Sequence, residues 1–71
     1  MAPIRLLEAV ALVADLPEQR LARGQVGTVV EHLARDVYEV EFSNDRGCTY
    51  AQLPLRGEQL MVLRYDPPQA A

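Results

Sequence analysis

The sequence predicts an all-β fold, a small five-stranded barrel with a short irregular or helical N-terminal segment. Three observations carry this. From Val37 to Phe42 the residues alternate, Tyr38, Val40 and Phe42 on one side and Val37, Glu39 and Glu41 on the other, which is the period of a half-buried strand with one acidic face. Val26-Gly27-Thr28-Val29-Val30 is rich in β-branched residues, so strand is preferred over helix there. Short runs of this kind, mostly hairpin-linked, bury one thin core only by closing on themselves, and a barrel does so with little exposed edge.

The elements follow in order. Ile4 to Ala14 contains good helix formers, and Pro3 suits the first position of a helix. Yet Val10, Leu12, Ala14 and Leu16 alternate, and a helix there would be apolar nearly all round. The preferred reading is an irregular or helical turn near Pro3 to Leu7, then a strand from about Glu8 to Leu16. Leu16-Pro17-Glu18-Gln19 breaks that run, because proline fixes its own backbone and removes a ladder donor. Arg23-Gly24-Gln25-Val26-Gly27 opens the second strand, with Gly24 for a sharp turn and Gly27 for a bulge or a close strand contact. A weaker break at Leu33-Ala34-Arg35-Asp36 places His32 at the end of that strand. Ser43-Asn44-Asp45-Arg46-Gly47 has the chemistry of a hairpin connection. Beyond it Ala51, Leu53 and Leu55 share one face, leaving Cys48, Tyr50 and Gln52 on the other. Arg56-Gly57-Glu58 suits a tight turn or a single 3₁₀ turn before the last run, Leu60-Met61-Val62-Leu63. Residues 1–65 read as one domain and residues 66–71 as a disordered tail.

Four blocks in this order resemble a known family. They are Leu6-Leu7-Glu8 through Asp15-Leu16-Pro17, Gly24 to Glu31, Tyr38 to Phe42, and Thr49-Tyr50-Ala51 to Leu63. Together they are similar to the small bacterial proteins grouped as domain of unknown function 4926, across nearly the whole chain. The Gly24 to Glu31 block also resembles the glycine-valine opening of KOW motifs in ribosomal and transcription-elongation proteins. With Tyr38-Glu39-Val40-Glu41-Phe42 it is similar to the SH3-like barrel of the nitrile hydratase β subunit as well. The resemblance implies an SH3-like barrel and a bacterial source. It brings no catalytic residues. In KOW-type relatives nearby loops carry basic residues that meet phosphates, and Arg20, Arg23 and Arg46 are the positions here that suit that part.

Charge and composition narrow the function further. Seven arginines and no lysine stand against ten acidic residues, a net charge of −3, so generic phosphate binding has no excess of positive charge behind it. The whole deficit is local. From Glu31 to Asp45, Glu31, Asp36, Glu39, Glu41 and Asp45 face only Arg35, whereas the segments on either side are close to balanced. Glu39 and Glu41 share a strand face, and Glu31 joins them from the neighbouring strand. Two readings of that face stand: a solvated surface that discourages edge pairing, and a docking surface for a basic protein partner, with Tyr50 as an aromatic anchor.

Catalytic chemistry finds little support. Glu31 and His32 are adjacent in a strand and point to opposite faces, so one does not orient the other as a general base. Cys48 has Arg46 near it, a small opening for redox sensing, but a lone surface thiol is more often inert. One cysteine and one histidine offer no metal-ligand spacing. No cofactor or metal is expected. With no apolar run approaching the length of a membrane span, and a free thiol suited to a reducing compartment, the expected location is the cytoplasm. A chain this short has a thin core, so a monomer or homodimer with a larger partner is expected. The sequence thus points to a non-enzymatic protein-interaction or accessory module, antitoxin-like in its most specific form. The alternative is a KOW-like RNA- or ribosome-associated module.

Overall fold

The computed structural model describes residues 4–68. Five strands form over them: β1 (Ala9–Leu12), β2 (Val26–Ala34), β3 (Val37–Ser43), β4 (Thr49–Arg56) and β5 (Leu60–Val62). Two 3₁₀ turns, Pro17–Gln19 and Gly57–Gln59, punctuate the chain where proline and glycine had marked breaks. The strands make one antiparallel sheet in the order β4-β3-β2-β1-β5. The fold is all-β, as the alternation predicts.

That order forces the sheet to roll. β4 and β5 are its two outer strands, yet only Gly57–Gln59 separates them in the chain. Four strand spacings of about 4.8 Å would hold them about 19 Å apart in a flat sheet. The backbone from Arg56 to Leu60 reaches about 14 Å even when fully extended. The sheet therefore curls until its inner face encloses one core. Val10 and Leu12 of β1, Val29 of β2, Tyr38, Val40 and Phe42 of β3, Leu55 of β4 and Leu60 of β5 all meet there. Leu21 enters the same cluster from the β1–β2 loop. Burial of side chains of this size stabilises by about 1.5–3 kcal/mol each.

Gly27 lies close against β3. It pairs with Phe42 across β2 and β3, and a Cβ at this position would lie 2.7 Å from Val40 Cγ1 and 2.9 Å from the Glu41 carbonyl oxygen. The close strand contact expected from the sequence is present. Gly24, at φ +91°, makes the sharp entry into β2 and donates its amide to the Leu12 carbonyl at 2.8 Å.

Two boundaries differ from expectation. β1 ends at Leu12 rather than Leu16, because the chain bends at Val13-Ala14 and Leu16 instead exchanges two backbone hydrogen bonds with Leu21, at 2.8 and 3.1 Å. The loop thus closes its own small bridge, and the apolar alternation through Ala14 and Leu16 is that of a loop whose leucines turn inward. Ahead of β1 the described residues make the expected turn, in its irregular form: the Arg5 amide donates to Glu8 Oε1 at 2.7 Å and Leu7 sits at φ +68°. β2 runs on to Ala34, two residues beyond the expected end, so His32 lies within the strand and not at its end. Two β-bulges account for the miss. Val29 pairs with Val40 but Glu31 with Glu39, and His32 pairs with Tyr38 but Ala34 with Val37, so Val30 and Leu33 are extra residues. Each bulge shifts the alternation by one and hides the strand from a period-two reading. Asp66–Pro68 carry no regular structure; Pro3 and residues 69–71 lie outside the described residues.

Candidate functional site

The register of β2, β3 and β4 builds the acidic face. Glu31 sits directly opposite Glu39, and Glu41 lies two residues further along β3, opposite Thr28 on one side and Gln52 on the other. Opposite partners share a face, as do residues two apart on one strand, so the three carboxylates form a row on the outer surface. The expected grouping of Glu31, Glu39 and Glu41 is what this register produces.

Neutral donors hold two of the three. Gln52 Nε2 donates to Glu39 Oε2 at 3.2 Å, and Thr49 Oγ1 donates to Glu41 Oε2 at 2.9 Å. Both glutamates are half-buried, whereas Glu31 is exposed and receives neither a hydrogen bond nor an ion pair among the described residues. Arg56, opposite Val37, shares this outer face diagonally from Glu39, but its ion pair is with Glu58, Nε to Oε1 at 3.6 Å. Like charges directly opposite in a ladder repel, at a cost of about 0.2–1 kcal/mol. The row is therefore ordered and anionic, and no described residue forms an ion pair with it.

Tyr50 stands apart from the row. A bulge between Phe42 and Ser43 pairs Phe42 with Ala51 and Ser43 with Thr49, leaving Tyr50 as the extra residue. Its ring lies 6.3 Å from the buried Phe42 ring, tilted by 42°, and its hydroxyl accepts from Gln25 Nε2 at 3.1 Å. The residue is half exposed and sits at the mouth of the barrel, where β2 begins and β3 ends. The simple alternation that placed it beside Gln52 on the outer face fails at the bulge.

The same mouth gathers the arginine-bearing loops. Arg20, at φ +59°, ends the first 3₁₀ turn, and the Arg23 amide donates to Asp15 Oδ1 at 2.8 Å. Arg46 lies in the β3–β4 turn, held by Asn44 Oδ1, which accepts the Arg46 amide at 2.9 Å and the Cys48 amide at 3.0 Å. Both connections leave the barrel at the end marked by the Gly27–Phe42 pair. Arg20, Arg23, Arg46 and Tyr50 thus share one end, and the three carboxylates share a side.

His32 and Cys48 are not brought together. His32 pairs with Tyr38 near the start of β3 and stacks on its ring at 4.8 Å and 11°, while exposed Cys48 follows the end of β3. Five residues of strand, about 17 Å, separate those levels. Among the described residues no group of three or more His, Cys, Asp and Glu side chains is placed to hold a metal ion, and no helix is long and apolar enough to cross a membrane.

A feature absent from the sequence reading adjoins the acidic row. β1 pairs with β2 only through Val26, Gly27 and Thr28, and the last hydrogen bonds from that side are at Val29, whose amide donates to the Glu8 carbonyl at 3.0 Å and whose carbonyl accepts from Leu7 at 2.6 Å. From Val30 to Ala34, β2 has β3 on one side and no described strand on the other, and all five residues are exposed. The absence of glycine and proline from Thr28 to Ala34, past the apparent end of the alternation, was the available signal.

Against known families, the model described as "Domain of unknown function (DUF4926)" matches residues 6–62, the span that holds all five strands. The chain belongs to this family. No curated protein and no solved structure matches the chain. DUF4926 membership carries no activity with it, so the function is argued from the geometry of these residues.

Proposed function

We propose that this chain is a non-enzymatic, SH3-like interaction module that docks a partner protein of basic surface on the row Glu31, Glu39 and Glu41. The observation behind this reading is that the row is ordered yet forms no ion pair among the described residues. Glu39 and Glu41 are held by Gln52 and Thr49, neutral donors that fix the carboxylates without cancelling their charge. A pre-oriented anionic strip on a rigid sheet steers and orients a cationic partner. A purely solvated face needs no such positioning. The separation of His32 from Cys48 supports the non-enzymatic part, and the free thiol supports a reducing, cytoplasmic setting.

Affinity purification from the native organism tests the reading, using the wild type beside the paired variant Glu39→Arg and Glu41→Arg. A basic partner retained by the first and lost by the second is expected. Recovery of no basic partner, or equal recovery by both, overturns it.

One observation favours a second reading, a KOW-like RNA- or ribosome-associated module: Arg20, Arg23 and Arg46 share the barrel mouth with the half-exposed Tyr50 ring. Arginine beside an aromatic platform suits single-stranded RNA. Retardation of RNA in a low-salt gel shift, lost on replacing the three arginines by alanine, is the result that reading requires.

A further inference from the structure

We propose that the partner docks by strand addition, as an extended segment with basic residues at alternate positions, along the open edge of β2 from Val30 to Ala34. This rests on the carboxylate row as the docking face and specifies how the partner meets it.

An unpaired strand edge is a row of backbone donors and acceptors ready for another chain, and folded proteins usually blunt it. β4 carries Pro54 in its middle, and β5 is three residues long. The open half of β2 has neither device. A turn at Arg5–Glu8 precedes β1, and among the described residues the backbone hydrogen bonds from this side to β2 end at Val29. The two bulges coincide with the apolar exposure on this edge: the extra residues, Val30 and Leu33, are 36% and 45% exposed. Bulges commonly re-aim a side chain, and here they place apolar contacts at the rim.

Charge complementarity selects the occupant. A strand laid beside β2 places one of its residues directly across from Glu31, on the outer face and within about 5 Å at Cβ. Glu31 is the carboxylate that no described residue engages, with Glu39 next in the row. Lysine or arginine at that position relieves the Glu31–Glu39 repulsion. The neighbouring residues of the added strand fall on the opposite face, beside the His32 ring stacked on Tyr38, where an apolar side chain fits. The segment so recognised is amphipathic with period two, basic on one face and apolar on the other. A second copy of this chain is a poor occupant, because antiparallel pairing about His32 brings two acidic rows side by side.

The probe is a short synthetic peptide of alternating arginine and valine, compared with the same peptide N-methylated at alternate backbone amides. Altering the probe leaves the folding of the domain untouched. Strand addition takes its affinity from main-chain hydrogen bonds, so N-methylation is expected to weaken binding by about tenfold or more. The unmodified peptide is expected to shift the amide resonances of residues 30–34 most and to slow their hydrogen exchange. Equal binding of both peptides, with loss on replacing Glu31, Glu39 and Glu41 by glutamine, overturns strand addition and leaves the docking face standing. Failure of both peptides to bind at micromolar concentration overturns the docking face as well. Concentration-dependent dimerisation mapping to residues 30–34 would assign the edge to a second copy instead.

Discussion

β2 is one strand with two halves that answer to different constraints. From Val26 to Val29 it lies between β1 and β3, Val29 is fully buried, and Gly27 has no room for a side chain. From Val30 to Ala34 it has one neighbour, two bulges and no buried residue. The first half closes the barrel, so its residue types are dictated by packing. The second half contributes little to the core, leaving its composition open to other requirements, and it carries Glu31 and His32. A strand that outruns its neighbour thus separates folding from recognition within nine residues.

Mutations that cost stability on one side and not on the other sharpen that contrast. The largest loss is expected in the core opposite the first half. Phe42 is fully buried and pairs with Gly27, and Phe42→Ala should destabilise by about 3–5 kcal/mol. That is much of what a small domain has, and urea denaturation should show a large part of the variant unfolded in water. Gly27→Ala comes next, at about 1–3 kcal/mol, because its Cβ would meet Val40 and the backbone of Glu41. Leu33→Ser, in the second half, should stay within about 0.5 kcal/mol of the wild type. Equal losses at positions 27 and 33 would erase the distinction between the halves.

His32→Ala falls between these extremes. The imidazole stacks on Tyr38, whose ring belongs to the core, so the second half still touches the barrel at one point. Aromatic pairing of this kind contributes about 0.5–1.5 kcal/mol, and a loss in that range is expected. A larger loss would mean that the open half is needed to keep Tyr38 buried.

What the sequence disclosed follows the same division. The strand of Tyr38, Val40 and Phe42 has one face in the core and one in water, so its alternation is plain, and a close strand contact at Gly27 was one of two readings of a glycine amid β-branched residues. The acidic row was legible because Glu39 and Glu41 keep strict period two. Bulges defeat that reading wherever they occur. They concealed Leu33 and Ala34 of β2 and moved Tyr50 from the expected outer patch to the barrel mouth. The loop from Val13 to Gln25 was misread for another reason: Leu16 and Leu21 satisfy each other's backbone, and that pairing has no periodic signature.

The smallest expected effect is the most discriminating for the docking face. Glu31→Gln removes one of two like charges that lie directly opposite, without a change of size. Stability should rise by a few tenths of a kcal/mol at low salt, within the range measured for cross-strand charge pairs. The sign follows from repulsion: relieving it in the folded sheet lowers the native free energy, while the unfolded chain keeps these residues far apart. Both groups are at least partly exposed, so the gain should shrink as salt is added and the Debye length falls toward the Cβ separation. A mutation that stabilises the fold while weakening partner binding would mark Glu31 as retained at a cost to stability. A fall in stability on the same change would instead show that Glu31 is compensated in the free protein, and the carboxylate row would lose its claim as a docking surface.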